Sequence, residues 1–177
     1  GLQGAVAEAE ALSRLSPEDP EYLPELGRQE YDDVEGYYSR TGELAPETRA
    51  QSMAVALDAA KESDTVAAGF MDVRAGAQAV ATSNGLFAYH PSTGVASTLT
   101  VRTPDGQASG WAGDEAADWM SIESERIAAD AVRKCLDWRG RTALDPGEYD
   151  VVLEPTAVGM LMRNMRNGFN ARTADEG

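Results

Sequence analysis

The stretch from Val66 to Trp111 constrains the fold more than any other part of the chain, because apolar and polar residues alternate there with a period of two between tight-turn signals. That period puts alternate side chains on opposite faces of a strand, while Asn-Gly and Asp-Gly tolerate the positive φ that hairpin turns need. The punctuation consists of Arg74-Ala-Gly, Ser83-Asn-Gly and Pro104-Asp-Gly. It predicts an antiparallel meander with strands near 66–73, 77–83, 86–90, 95–103 and 106–111.

Helical patterns flank this block. Over residues 4–15, Ala5, Ala9, Leu12 and Leu15 recur on one side until Ser16-Pro-Glu-Asp-Pro interrupts them. Pro46-Glu-Thr opens a second helix in which Ala50, Met53, Ala54, Leu57 and Ala60 have the spacing of a buried stripe. Between the two lies a connection from Ser16 to about Pro46 that carries the acidic run Tyr31-Asp-Asp-Val-Glu-Gly-Tyr-Tyr. A connection of that length in a compact domain is often functional or mobile. Ser121 is predicted to cap a third helix reaching about Trp138, with Ala128, Ala131, Val132 and Cys135 facing inward. Asp145-Pro-Gly then leads into a predicted strand over 149–153, and Pro155 starts a helix whose Val158, Leu161, Met162 and Met165 share a face before Gly168 ends it. Helices and antiparallel strands in separate blocks make an α+β fold, a β-meander packed with several helices. A chain of 177 residues with 42% hydrophobic content can bury one sizeable core, so a single domain over 1–177 is expected.

The formal net charge of −15 excludes nucleic acid as an expected partner, since a negative surface is repelled by phosphates and releases no counterions. Lys61 and Lys134 are the only lysines among the 15 basic residues, and 30 acids oppose them. Two readings of the acidity stay open: a solvated surface suited to high salt or arising from a GC-rich genome, or a face that receives basic peptides. No run of 18 apolar residues and no basic-plus-apolar leader occurs in this sequence, so no membrane association is expected. Cys135 is the single cysteine, which rules out an internal disulfide and fits a reducing cytoplasm.

Few residues offer chemistry. His90 is the only histidine, whereas zinc hydrolases need two or three nitrogen or sulfur ligands. Standing before Pro91, it reads as a surface or hydrogen-bonded residue, and Cys135 reads as a small core hydrophobe. Asp114, Glu115 and Asp118, between Trp111 and Trp119, suit either a hard cation or a helix N-terminus, and capping is the simpler account. The tryptophans themselves suit either a core or a contact surface. No glycine-rich phosphate loop is present. Arg163, Arg166 and Arg172, with Asn164, Asn167 and Asn170, form a local cluster of planar donors able to clamp a carboxylate or a peptide backbone. The alternative is that surrounding acids neutralise these arginines within the chain.

Four landmarks occur in order: Ser63-Asp-Thr-Val-Ala-Ala-Gly-Phe, Ala81-Thr-Ser-Asn-Gly-Leu-Phe, Ser109-Gly-Trp-Ala-Gly and Pro146-Gly-Glu-Tyr-Asp-Val-Val-Leu-Glu-Pro, followed by Gly168-Phe-Asn-Ala-Arg. With them the chain resembles the TldD/PmbA family, the "modulator of DNA gyrase" family of zinc-dependent peptidases. Family members are more than twice this long, so the resemblance implies a fragment of the N-terminal TldD/PmbA-like domain with the C-terminal domain absent. In metal-bearing members, the helix after the Glu-Pro-type turn carries a His-Glu-x-x-x-His motif. Here the corresponding segment reads Arg163-Asn164-Met165-Arg166-Asn167-Gly168, and a guanidinium has no lone pair to give a cation.

The resemblance is therefore to the PmbA/TldE-type subunit, which lacks the motif. It implies a subunit of a zinc metallopeptidase acting on peptides or small unfolded proteins, such as antitoxins or modified peptide antibiotics. Zinc is then expected in a TldD-like partner and not in this chain. Arg163, Asn164, Arg166, Asn167 and Arg172 become the candidate contacts to that partner or to substrate. A scaffold homologue that forms a homo-oligomer and has lost proteolysis is the alternative.

Overall fold

The computed structural model describes residues 1–176, apart from the side chain of Asn167. The chain divides into two compact units, one covering Gly1–Arg141 and the other beginning at Thr142.

The first unit is built around an antiparallel sheet of three strands in the order β1 (Val66–Ala81), β2 (Phe87–Arg102), β3 (Ser109–Ala116). Two of the turn signals do what their chemistry requires. Gly85 (φ 88°) and Gly106 (φ 70°) take up positive φ in the turns at Ser83-Asn-Gly and Pro104-Asp-Gly. Thr103 closes the second turn, its N–H donating to the Ala108 carbonyl at 3.0 Å and its hydroxyl to the Asp105 carboxylate at 2.6 Å.

The five predicted strands merge into three. Arg74-Ala-Gly is not a turn, because it lies opposite Ser92-Thr-Gly in unbroken register, with Gly76 facing Ser92 and Arg74 facing Gly94. Each segment is a breaker when read alone, yet the partner strand holds both extended. Pro91 is tolerated because β3 pairs with β2 only over 95–102, so the strand edge beside Pro91 needs no ladder donor. The last strand lies at 109–116, not 106–111, because the Pro104-Asp-Gly turn and its closing bonds occupy residues 103–108.

Along β2 the alternation is strict. Thr93, Val95, Ser97, Leu99, Val101 and Thr103 are buried, while the residues between them are not. Their face is covered by α4 (Ser124–Asp137) and α3 (Pro46–Glu62), and the core joins Val95, Leu99 and Val101 to Ala56, Ala112, Ile127, Ala128, Ala131 and Cys135. Val101 is 0% and Leu99 2% exposed, and full burial of each such side chain contributes about 1.5–3 kcal/mol. Gly110 lets α4 close onto β3: a Cβ there would run into the Ala131 carbonyl and the Cys135 amide of that helix.

The inward face of α4 is the expected one, with Ala128, Ala131 and Cys135 buried and Val132 packed against the core. The helix starts later than predicted. Ser121 ends a short 3-10 turn (Trp119–Ser121), and Asp118, not Ser121, caps that turn by accepting from the Met120 amide at 3.2 Å. For α3, the predicted stripe is rotated. Ala60 is buried and Met53 half-buried, but Ala50, Ala54 and Leu57 are exposed, and Ala56 and Ala59 face the core in their place. Alanines and polar residues are interleaved around this helix, so its sequence marks a buried face only weakly. The helix ends in a Schellman arrangement in which Thr65 N–H donates to Ala60 O at 2.9 Å, Asp64 N–H donates to Lys61 O, and Asp64 takes φ 49°. Two further elements complete the unit, α1 (Leu2–Ser13), which buries none of its residues, and the short α2 (Ser39–Gly42), which buries Thr41.

In the second unit, Pro155 starts a helix as expected, α5 (Pro155–Met165), and α6 (Ala171–Glu176) follows a 3-10 turn over Arg166–Phe169. The predicted strand at 149–153 does not form. Those residues pair with no strand among the described residues, and Val152 is 100% exposed. A strand is completed by cross-strand pairing, and no described residue supplies it. No helix among the described residues is long and apolar enough to cross a membrane.

Candidate functional site

The arginine and asparagine cluster falls entirely within the second unit. Arg163 and Asn164 lie in the last turn of α5, and Asn164 donates to the Met160 carbonyl at 3.1 Å. Arg166 opens the 3-10 turn, and Arg172, on α6, pairs with Glu176 one turn on at 2.8 Å. Part of the cluster is thus neutralised locally, as one of the two readings of these arginines requires. The side chain of Asn167 lies outside the described residues. Around these cations Val158, Leu161, Met162, Met165 and Phe169 are exposed, so the segment offers apolar area together with guanidinium donors.

The acidic trio is dispersed. Asp114 and Glu115 are on β3 and not at a helix start; Asp114 pairs with Arg126 of α4, and Glu115 lies 3.7 Å from Arg74 of β1. Asp118 is the capping residue of the three. It also grips Arg40 of α2 through both carboxylate oxygens, Nε donating to Oδ1 at 2.8 Å. The Asp118 carboxyl is held below its ordinary range, first by the bond from Arg40 and also by the Met120 amide. A group spent on a guanidinium and a cap is structural in role. Among the described residues, no group of three or more His, Cys, Asp or Glu is placed to hold a metal ion. Trp119 packs against the core, whereas Trp111 and Trp138 remain partly exposed, the latter 5.6 Å from the Arg141 guanidinium.

His90 stands inside β2 and not at a strand end, opposite Gln78. It lines a hollow of about 470 Å³ with Tyr31, Asp32 and Val34 of the long connection and Gln78, Val80, Ala88 and Tyr89 of the hairpin. Sequence reasoning marked the acidic tyrosine-bearing run and the histidine separately, without placing them together. Contacts across more than fifty residues unite them. Asn84 donates to Glu25 O at 2.8 Å, Thr82 donates to Leu26 O at 3.0 Å, and Gly27 bridges Gly85. At the other end, Thr93 N–H donates to Gly36 O at 2.9 Å, and Tyr38 N–H donates to the Thr93 hydroxyl at 3.1 Å.

The sheet with its covering helices recurs in known proteins. A protein from Thermotoga maritima, named for modulation of a DNA gyrase, superposes with a TM-score of 0.67 at 22% identity over 78% of this chain and 33% of its own. TldE from Thermococcus kodakarensis superposes with a TM-score of 0.60 at 18% identity over 75% of this chain and 31% of its own. The chain therefore spans about a third of the length of these structures. No curated protein matches the sequence. The family model of the PmbA/TldA metallopeptidase central domain matches residues 32–137, which contain the whole sheet, α3 and α4. The chain belongs to the PmbA/TldD metallopeptidase family.

Proposed function

We propose that this chain serves as the PmbA/TldE-like, metal-free part of a TldD/TldE-type zinc metallopeptidase acting on peptides or small unfolded proteins. The observation that carries this reading is the composition of Arg163–Gly168, two arginines and two asparagines with no imidazole, thiolate or carboxylate, in a chain whose only histidine is His90 and only cysteine Cys135. A TldD-like partner supplies the zinc, and with it a bound water of lowered pKa. This chain, whose residues 32–137 match the family's central domain, shapes the chamber that admits peptides in the cytoplasm.

Arg163, Asn164, Arg166 and Arg172, with Asn167 assigned from the sequence alone, are the contacts to the partner or the substrate path. Guanidinium forks suit carboxylates and peptide carbonyls, and the exposed apolar side chains of α5 supply area to bury in such a contact. Replacing Arg163 and Arg166 together by Ala is expected to weaken partner association or peptide cleavage by about tenfold, the scale of one interface hot spot. Unchanged association and unchanged cleavage in that variant would remove the role. Self-assembly without any metal-bearing partner would support a homo-oligomeric scaffold.

A further inference from the structure

We propose that the groove between residues 28–35 and the outer half of the β1–β2 hairpin is a binding site for an extended cationic peptide segment, an arginine or lysine next to an aliphatic or aromatic residue. The proposal does not depend on the metal-free subunit role, because its readout is binding by the chain itself.

The groove is held open by its own frame. The strap is pinned at Gly27 to the hairpin turn and at Gly36 to Thr93, on the β2 edge that β3 leaves uncovered. From Gly85 to Thr93 an extended strand covers about 26 Å, and nine residues of strap can span at most about 30 Å. The strap therefore has little slack. It is seated closely at its second anchor, where a Cβ on Gly36 would lie 2.9 Å from the Pro91 carbonyl oxygen. Between the anchors no backbone bond ties residues 28–35 to β2. The hollow of about 470 Å³ is the space left between them.

Its lining has two kinds of chemistry. Gln78 faces His90 and Val80 faces Ala88 across the ladder, so these four side chains share one sheet face, the one opposite the core. Tyr31 and Val34 of the strap add aromatic and aliphatic surface, with Tyr31 59% exposed. Beside them Glu30, Asp32 and Asp33 make no ion pair among the described residues, in contrast to Asp114, Glu115 and Asp118 on the same unit. Asp32 is the carboxylate that lines the hollow, with Glu30 and Asp33 next to it along the strap; an unneutralised carboxylate there favours a cation, and a carboxylate takes a guanidinium through two parallel bonds. Tyrosine faces attract the same cation. The floor of Val80 and Ala88 takes the neighbouring apolar side chain, and the open β2 edge offers main-chain groups to an extended backbone.

The test is fluorescence anisotropy of the full chain with a labelled, end-blocked heptapeptide of alternating arginine and leucine. Counterparts carry glutamate or serine in place of arginine. Asp32→Asn with Asp33→Asn, which removes the lining carboxylate and the charge beside it, is expected to weaken binding of the arginine peptide by about tenfold. Tyr31→Ser is expected to weaken it while leaving the charge unchanged. The control, Glu10→Gln with Asp137→Asn, alters the net charge equally at a distance and is expected to stay within about twofold. The glutamate and serine peptides are expected to bind at least about tenfold more weakly. Equal losses in the control and the groove variant would reduce the effect to bulk charge and overturn the site. Absence of binding by the arginine peptide, or equal binding of the three peptides, would also overturn it.

Discussion

The two halves of the β1–β2 hairpin share one ladder and one register, yet they differ in almost everything else. Inside, residues 95–102 of β2 lie between β1 and β3 under α4, and every second side chain is buried. Outside, residues 76–92 have no third strand among the described residues, and Val80, Phe87 and Tyr89 stay exposed. The backbone is the same structure in both. The difference comes from what covers it: burial follows the third strand and the helix. The acidic strap is anchored along the hairpin's β2 side at Gly85 and Thr93.

This contrast is sharpest when tested by truncation. Leu99→Ala, in the inner half, is expected to destabilise the first unit by about 2–5 kcal/mol, since the covering helix cannot collapse fully into the space. Phe87→Ser, in the outer half, is expected to cost less than about 1 kcal/mol, because an exposed aromatic loses little on truncation. Urea unfolding of the two variants checks both, and comparable losses would break the comparison. Gly110→Ala probes the cover itself. The added methyl must displace the α4 backbone at Ala131 and Cys135, and a loss of about 1–3 kcal/mol is expected, with altered near-UV signals from Trp111 and Trp119.

The smallest effect concerns the tie between α2 and the end of β3. Arg40 holds the Asp118 carboxyl below its ordinary range. A depressed carboxyl contributes stability above its unfolded pKa of about 3.9, and that stability is lost as pH falls through the folded value. Wild type is therefore expected to exceed Arg40→Gln by a constant margin near neutral pH, and the margin is expected to shrink below about pH 4. A margin independent of pH would show that Arg40 acts through packing and not through the Asp118 charge.

Much of the inner half was legible in the sequence, because its determinants are local. Ser83-Asn-Gly and Pro104-Asp-Gly need positive φ at one residue, and Pro46 and Pro155 mark helix starts by their own ring geometry. The interior of α4 was legible because its apolar residues keep one period against a charged remainder. Strand length was not legible. Arg74-Ala-Gly and Pro91-Ser-Thr-Gly are breakers alone and continuous strand when paired, which only the register decides. The predicted strand at 149–153 failed for the converse reason, since residues of strand type form no ladder without a partner. The groove was hidden because its walls are joined by bonds spanning 56 and 59 residues, which no local pattern encodes.

The central functional claim is a division of labour in which this chain shapes a peptide path and its partner cuts. Its most direct test is zinc content by elemental analysis of the full-length protein, purified alone and co-purified with a TldD-like homologue, together with a peptide-cleavage assay on both samples. The account predicts zinc and cleavage only in the co-purified sample. Stoichiometric zinc and cleavage by the protein alone would contradict it.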